Sequence, residues 1–267
     1  MSNETDAQVA RRTAIEAGEL LLEVRGAGTA GMTQAEQRAV GDEGDRRSND
    51  LLLRRLSEVR PDDAVLSEES LDDRVRVTRD RVWIIDPLDG TAEFRTDRDE
   101  FAVHVALWER GRLVAGCIAL PERQRVRTTD DPVTGPAPLD LNGDIRVVVS
   151  RSHIPTDFEV IAARLQQQLI EAGNPDATVT HYSVGSVGGK VDEVMLGNAA
   201  VYLFSGGLSE WDAAAPFVVA EHQGYVVRQV DGTEFTYNHE NPRVGSGYVA
   251  HPALADMLAQ AVAGTGL

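Results

Sequence analysis

The stretch Asp-Pro-Leu-Asp-Gly-Thr at residues 86–91 decides how this 267-residue chain is interpreted. It directly follows the apolar run 82–85, which is typical of a buried strand. Pro87 fixes one backbone dihedral angle and removes a donor, whereas Gly90 allows the chain to turn sharply. We therefore expect Asp86 and Asp89 to converge on one point, where their oxygens can hold divalent cations. Free N–H groups after Gly90 would face an anion, so the segment predicts metal-assisted phosphoryl transfer.

An ordinary surface turn is the alternative, because Asp, Pro and Gly are all common in turns. A surface turn would rarely follow Trp83, Ile84 and Ile85 without a solvent-facing break. The sequence therefore favours a functional segment at this position.

Further carboxylates occupy similar junctions. Glu68 and Glu69 end the predicted strand 64–67, although adjacent glutamates often form a solvated helix start. Asp45 and Asp212 each stand where we expect a helix to begin, and an aspartate there is commonly an N-cap. Each position alone is ambiguous. Together they place acidic groups repeatedly where an apolar strand or a small-residue loop meets a helix, which favours one shared site.

The overall charge excludes several classes of partner. Asp and Glu number 43 against 26 Lys and Arg, giving a net charge of −17 and a pI near 4.7. General attraction to nucleic acid polymers or anionic membranes is therefore disfavoured. The single cysteine cannot form an internal disulfide, and the first eight residues lack the order of a signal peptide. The longest apolar stretch, 194–208, is too short to span a bilayer, so we expect a cytoplasmic protein.

Strand and helix patterns alternate throughout, which predicts an α/β (α+β) fold with layered sheets. In the first half we expect a helix over 6–25, a mobile loop over 26–44, a helix from about residue 45, and a four-residue hairpin loop at 109–112. The second half predicts strands over 145–149, 178–184, 200–204 and 225–230, helices over 157–172, 186–196 and 212–223, and a closing strand and helix within 247–262. Pro and Gly crowd between 128 and 143, so we expect an N-terminal lobe (1–135) and a C-terminal lobe (136–267) in one compact unit.

The acidic motifs resemble the three signatures of the inositol monophosphatase superfamily, in order and at fitting separations. The matching segments are Glu68-Glu69, residues 86–91 and Trp211-Asp212-Ala213-Ala214. The similarity extends over nearly the whole chain and implies a layered α-β-α-β-α sandwich of the inositol monophosphatase and sugar phosphatase type. Three further segments are most similar to the CysQ-type 3′(2′),5′-bisphosphate nucleotidases, namely Arg151-Ser152-His153, Gly185-Ser186 with Lys190, and Gly206-Gly207.

The resemblance implies two or three Mg²⁺ ions per active site. Glu68, Asp86 and the Leu88 carbonyl would hold the first ion. Asp86, Asp89 and Asp212 would hold the second, with Asp86 bridging, and Glu68 with water would hold a weaker third ion. Two cations can clamp a phosphate oxygen while one of them lowers the pKa of the attacking water.

It also implies a catalytic pair, in which Thr91, hydrogen-bonded to Asp45, orients and deprotonates that water. The implied substrate contacts are Gly90, Thr91, His153, Ser186, Lys190 and Asp212. Lys190 would meet a 5′-phosphate or be a surface lysine, and His153 would contact the nucleotide or cap a loop. Ser186 would donate to the substrate or cap a helix. We expect His104, which alternates with apolar neighbours, to be structural.

The implied reaction is Mg²⁺-dependent removal of the 3′-phosphate from 3′-phosphoadenosine 5′-phosphate, a by-product of sulfate assimilation, with inhibition by Li⁺. The partner would be a small phosphorylated molecule, and the protein would be a monomer or homodimer. An inositol-1-phosphate or fructose-1,6-bisphosphate phosphatase is the alternative, and a non-catalytic binder on the same fold is a third possibility. Two departures from the family pattern are a 26–44 loop without the usual lysine and Pro-Val-Thr, and Phe204 where many nucleotidases have arginine.

Overall fold

The computed structural model describes residues 4–72 and 74–267, and within them the strands form two five-stranded sheets. The first sheet has the order β1-β2-β3-β4-β5, with only β1 and β2 parallel. Its strands are β1 (Ala64–Ser67), β2 (Arg81–Asp89), β3 (Ala102–Glu109), β4 (Arg112–Leu120) and β5 (Arg125–Thr128).

The second sheet has the order β7-β6-β8-β10-β9. Strands β7, β6 and β8 are parallel, and β10 is antiparallel to both β8 and β9. Its strands are β6 (Asp144–Ser150), β7 (Thr178–Val184), β8 (Val201–Phe204), β9 (Val226–Gln229) and β10 (Gly247–Ala250).

Helices cover the sheets in three layers. The helices are α1 (Asp6–Arg25), α2 (Gln34–Val59), α3 (Thr91–Arg95), α4 (Phe158–Glu171), α5 (Val187–Met195), α6 (Glu210–His222) and α7 (Ala255–Val262). Helices α1 and α2 pack on the outer face of the first sheet, α5 and α6 lie between the sheets, and α4 and α7 pack outside the second sheet. This is the expected α-β-α-β-α sandwich, because each sheet buries both faces.

Helix α2 begins earlier than the sequence predicted. The expected loop 26–44 is helical from Gln34, so Asp45 lies within a helix instead of at its start. The helix begins at a capping box, in which Thr33 and Glu36 satisfy each other's backbone N–H groups. Gly41 suggested a loop, but it lies within the helix and faces Arg95, whose Nε would be 2.1 Å from a Cβ at this position. The prediction was wrong because close helix packing and a loop both favour glycine.

A bulge at the end of β2 sets up the acidic motif. Asp86 pairs with His104 and Asp89 with Ala102, so three steps along β2 match two along β3. Residues three apart in a regular strand face opposite sides of the sheet. The extra residue in the bulge reverses this alternation and directs Asp86 and Asp89 to the same side.

The other expectations differ from the structure mainly at the ends of elements. The hairpin between β3 and β4 has a two-residue turn, Arg110-Gly111, where four residues were expected. Both have positive φ (47° and 97°), as a tight hairpin turn of this kind requires. Strand β5 was not predicted. In the described part of the chain, no helix is long and apolar enough to cross a membrane.

The chain passes between the two sheets in the segment that follows Thr128 and precedes Asp144, where the lobe boundary was expected. Helix α6, from the second half, nevertheless packs on β2, β3 and β4 of the first sheet. We propose that lobes 1–135 and 136–267 form one compact unit, because they share this layer of helices.

Candidate active site

Three carboxylates from two distant parts of the chain converge. Asp86 and Asp89 lie at the end of β2, and Asp212 lies in the first turn of α6. Each offers one oxygen, and these three oxygens lie within 4.8 Å of one another. Hard divalent cations prefer carboxylate oxygens, so this cluster is a candidate metal centre.

One interpretation of the sequence made Asp212 the N-cap of α6, and this is wrong. Ser209 is the N-cap, and Asp212 is the third helical residue, whose carboxylate accepts a hydrogen bond from Ser209 N at 2.6 Å. This capping box occupies Oδ2 and fixes the side chain. Oδ1 makes no hydrogen bond recorded among the described residues, so one acidic group serves both the helix start and the cluster.

Asp86 is oriented by its own turn. Its Oδ1 accepts a hydrogen bond from Leu88 N at 3.0 Å, while the buried Oδ2 has no hydrogen-bond partner within residues 4–72 and 74–267. A buried, unpartnered carboxylate oxygen costs free energy unless a cation compensates it. Burial, and then the charges of Glu68, Asp89 and Asp212, raise the pKa of Asp86 well above its ordinary value. This carboxylate therefore fits a metal ligand.

Glu68 and Asp45 lie beside the cluster but outside the set of three oxygens. Desolvation in the cleft, then Asp212, Glu69 and Asp89, raise the pKa of Glu68 to about 7. Burial, followed by the charges of Glu69 and Glu68, raises the pKa of Asp45 to about 8. Mutual repulsion of this kind is relieved when a divalent cation enters.

Asp89 behaves differently from its neighbours. Burial alone would raise its pKa, but His104, Lys190 and the Gly188 N–H together hold this pKa below its ordinary value. His104 Nε2 lies 3.2 Å from Asp89 Oδ2, and Gly188 N donates to the same oxygen at 2.8 Å. From the sequence, His104 was expected to be structural. The sequence did contain a signal for the contact with Asp89, because His104 is a polar residue facing inward on an otherwise apolar strand beside the acidic motif.

The expected pairing of Thr91 with Asp45 is wrong. The Thr91 hydroxyl donates to the Leu88 carbonyl at 3.3 Å. Thr91 is the first residue of the short helix α3, and its side chain bonds locally to the carbonyl three residues back. Gly90 has φ of 87°, and a Cβ there would lie 3.0 Å from the Ser186 Cβ. The turn therefore needs glycine at this position.

A cavity of about 460 Å³ opens directly beside the carboxylates. Of the predicted contacts, Gly90, His153, Lys190 and Asp212 line it, together with Asp89. An apolar wall that was not predicted is formed by Val187, Tyr202, Phe204 and Leu208. A volume and mixture of this kind suit a small molecule with both an apolar and a charged part.

Lys190 is a buried cation of this cavity, so the surface-lysine alternative is wrong. Its side chain is 2% exposed, and Nζ donates to the Gly185 carbonyl at 2.6 Å and approaches the Tyr202 ring at 5.3 Å. Burial lowers its pKa to about 8, against the opposing effect of Asp89 and other acidic neighbours. His153 is exposed at the rim of the cavity.

Ser186 does not line the cavity, contrary to its predicted substrate role. It is the N-cap of α5, accepting from Gly189 N at 2.8 Å and donating to the Glu100 carbonyl. A buried serine hydroxyl with a donor and an acceptor already in place has little left for a ligand. Of the two roles considered from the sequence, helix capping is the one observed.

Residues 2–264 match the inositol monophosphatase family, and the chain belongs to that family. The expectation drawn from the motifs is thus confirmed. A protein of Mycobacterium bovis called 3′-phosphoadenosine 5′-phosphate phosphatase is 40% identical over 93% of this chain and 90% of its own. The protein of the same name from Mycobacterium leprae is 41% identical over 95% and 92%. The crystal structure of CysQ from Bacteroides thetaiotaomicron is 26% identical, with a TM-score of 0.74 over 92% of this chain and 97% of that one.

Proposed function

We propose that this protein is a Mg²⁺-dependent phosphatase that converts 3′-phosphoadenosine 5′-phosphate and water to AMP and inorganic phosphate. The observation that carries this proposal is the convergence of Asp86, Asp89 and Asp212 beside the cavity. The mycobacterial relatives bearing this activity in their name support the choice of substrate. The family is metal-dependent, and we propose Mg²⁺ as the metal, with two or three ions per site.

In this proposal, Glu68, Asp86 and the Leu88 carbonyl hold one ion, Asp86, Asp89 and Asp212 hold another, and Glu68 supports a third. Bound Mg²⁺ supplies positive charge that stabilises the phosphate oxygens and makes a water molecule more acidic. The protein fixes these ligands before the ion arrives, through Leu88 N on Asp86 and Ser209 N on Asp212. Such preorganisation favours the transition state because little reorganisation remains during the reaction.

Thr91 and Asp45 are proposed to handle the attacking water. The Thr91 hydroxyl donates to Leu88, so its oxygen still has a lone pair that accepts a hydrogen bond from water. The water oxygen bonds to phosphorus as the bond to the ribose 3′ oxygen breaks. Asp45 is proposed to take one proton from the water, and the released 3′ oxygen takes one proton from solvent, so the protons balance. Without a metal the pKa of Asp45 is about 8, and Mg²⁺ bound nearby would lower this pKa so that the carboxylate is free to accept the proton.

The remainder of the substrate is proposed to occupy the cavity. Lys190 Nζ directs two hydrogen bonds to main-chain carbonyls, leaving its third N–H for a phosphate oxygen. The apolar wall that contains Tyr202 and Phe204 suits a purine base, which has an apolar face that inositol lacks. Gly90 and Thr91 offer backbone N–H groups to the reacting phosphate, and His153 stands at the rim.

The proposed setting is the cytoplasm, where a single buried cysteine such as Cys117 stays reduced. We propose a small phosphorylated molecule as the substrate partner, and either a monomer or a homodimer as the working form.

The test compares kcat/KM for 3′-phosphoadenosine 5′-phosphate, inositol-1-phosphate and fructose-1,6-bisphosphate at fixed Mg²⁺. We expect the nucleotide to be preferred by at least about tenfold, which corresponds to roughly 1.4 kcal/mol of transition-state binding. A chelator should abolish all three activities, and added Li⁺ should inhibit. A preference for inositol phosphate would reject the substrate assignment. No turnover of any phosphomonoester with Mg²⁺ present would reject the enzyme class.

A further inference from the structure

His104 connects the two segments that supply the converging carboxylates. It lies on β3, opposite Asp86 in the sheet register, and its side chain is completely buried. Nε2 is 3.2 Å from Asp89 Oδ2, and Nδ1 is 3.4 Å from the main-chain carbonyl of Trp211. One ring therefore touches the end of β2 and the first turn of α6, immediately beside Asp212.

The contact restricts how Asp89 can be used. Its Oδ2 faces both His104 Nε2 and the Gly188 N–H, so Oδ1 is the oxygen left to face the cluster. Gly188 is matched to this arrangement, because a Cβ at that position would lie 2.5 Å from His104 Nε2. Backbone and ring thus approach one carboxylate oxygen from two sides.

We propose that His104 is a positioning residue of the metal centre. Its ring holds Asp89 and the segment at Trp211 in place, so that Asp89 and Asp212 face the same point. The inference rests on the proposed metal centre and adds to it a residue that binds no ion itself. Partners outside the ligands of a metal orient those ligands, and their loss commonly costs about 10–100-fold in metal affinity.

A histidine that only fills space is the competing explanation. The neighbours of His104 on this face of β3 are the small residues Ala102 and Ala106, so ring volume is needed here. Both ring nitrogens, however, face oxygen atoms: Nδ1 lies within hydrogen-bond distance of the Trp211 carbonyl, and Nε2, which makes no hydrogen bond within the described residues, lies 3.2 Å from Asp89 Oδ2. An apolar ring would fill the volume but supply no donor to either oxygen.

The experiment measures the Mg²⁺ dissociation constant of the purified, substrate-free protein by isothermal titration calorimetry, alongside kcat and KM. The variants are His104→Phe, His104→Met and His104→Gln. Glutamine carries an N–H group at about the reach of Nε2, whereas phenylalanine and methionine carry none. The control is Val105→Ala, a buried neighbour on the opposite face of β3, which is packed against the other core cluster.

We expect His104→Phe and His104→Met to weaken Mg²⁺ binding by at least about tenfold, and His104→Gln to stay within about threefold of the unaltered protein. Val105→Ala should lower the melting temperature and leave the Mg²⁺ dissociation constant within about twofold. The methionine variant decides the matter if the phenylalanine variant does not fold.

Unchanged Mg²⁺ affinity in the apolar variants would overturn the positioning role, as would a glutamine variant as weak as they are. Failure of the unaltered protein to bind Mg²⁺ would instead overturn the proposed metal centre itself. The two failures are therefore distinguishable in one titration series.

Discussion

The two sides of the acidic cleft are built in different ways. On one side, Asp89 accepts the Gly188 N–H, lies beside His104 and is stabilised by the charge of Lys190, and its pKa is below the ordinary value. On the other side, burial and like charges raise the pKa of Asp45 to about 8 and that of Glu68 to about 7. Asp89 is thus stabilised as an anion by the protein, whereas the opposite side needs an external cation to become charged. The difference teaches that one half of the centre is preorganised and the other is completed by the ion.

Replacing a carboxylate of the cluster by an amide should give the largest loss of activity. The same replacement should change the melting temperature in opposite directions for Asp86 and for Asp89. Asp86→Asn and Asp89→Asn should each reduce kcat by about 10³-fold or more, because a charged metal ligand is lost. In a chelator at neutral pH, Asp86→Asn should raise the melting temperature, since burial and the neighbouring carboxylates raise the pKa of Asp86, and an amide is neutral there without taking up a proton. Asp89→Asn should lower it, since Lys190 loses its counter-charge and the Gly188 N–H loses an anionic acceptor.

Calorimetric or fluorescence unfolding in a chelator measures these two shifts, with the exposed Asp62→Asn as the control. Shifts of the same sign for Asp86→Asn and Asp89→Asn would contradict the contrast between the two sides.

The stability of the metal-free protein should depend on pH because several carboxyl groups of the cleft have raised pKa values. Asp45, Glu68 and Asp212 have folded-state pKa values of about 8, 7 and 6, all above their unfolded values. The folded state then binds more protons than the unfolded state, so stability is fully present below about pH 4 and falls as pH rises towards 8. Mg²⁺ should remove most of this loss, and its stabilisation should be larger at pH 8 than at pH 5.

Melting temperatures across pH 5–9, with chelator and with Mg²⁺, check this trend. We expect the chelated protein to lose about 2–8 °C over the range, as a change of roughly 1–2 kcal/mol would produce in a protein of this size. Asp45→Asn should flatten the part of the curve between pH 7 and 8. A chelated protein that becomes more stable towards pH 8 would contradict the assigned direction.

Substitutions in the cavity should have a smaller effect than those of the metal ligands. They should change mainly KM, because the cavity binds the substrate and does not carry the reacting groups. Lys190→Gln should raise KM for 3′-phosphoadenosine 5′-phosphate by about tenfold, because a desolvated cation that contacts phosphate is lost. His153→Ala, at the exposed rim, should raise KM by only about threefold. Steady-state kinetics of both variants test the order, and a larger effect from His153 would mean that the phosphate lies further out than proposed.

The smallest expected effect concerns Ser186. Because its hydroxyl caps α5 and does not reach the cavity, Ser186→Ala should cost about 0.5–2 kcal/mol of stability. KM should remain within about twofold. Denaturant unfolding and steady-state kinetics measure the two quantities, and a strong rise in KM without loss of stability would restore a substrate role to this residue.

The sequence predicted the carboxylates better than their surroundings. Residues 86–91 and Asp212 carry local signals, so their convergence and the layered fold were predicted correctly. The start of α2 was not, because glycine suggested a loop there, and the approach of Arg95 to Gly41 joins residues that are distant in sequence. The contact between His104 and Asp89 was not predicted, because Asp89 faces His104 only through the bulge in β2, and a single strand pattern does not reveal where a bulge falls.

Helices α5 and α6, which carry Gly188, Lys190 and Asp212, lie between the two sheets. Elements covered on both sides expose their amide protons to solvent exchange only when a large part of the molecule opens. We therefore expect the backbone amides of α5 and α6, which carry part of the active site, to be among the slowest in the protein to exchange with solvent. Loss of catalytic competence on heating should then coincide with global unfolding, without an earlier, separate loosening of the site.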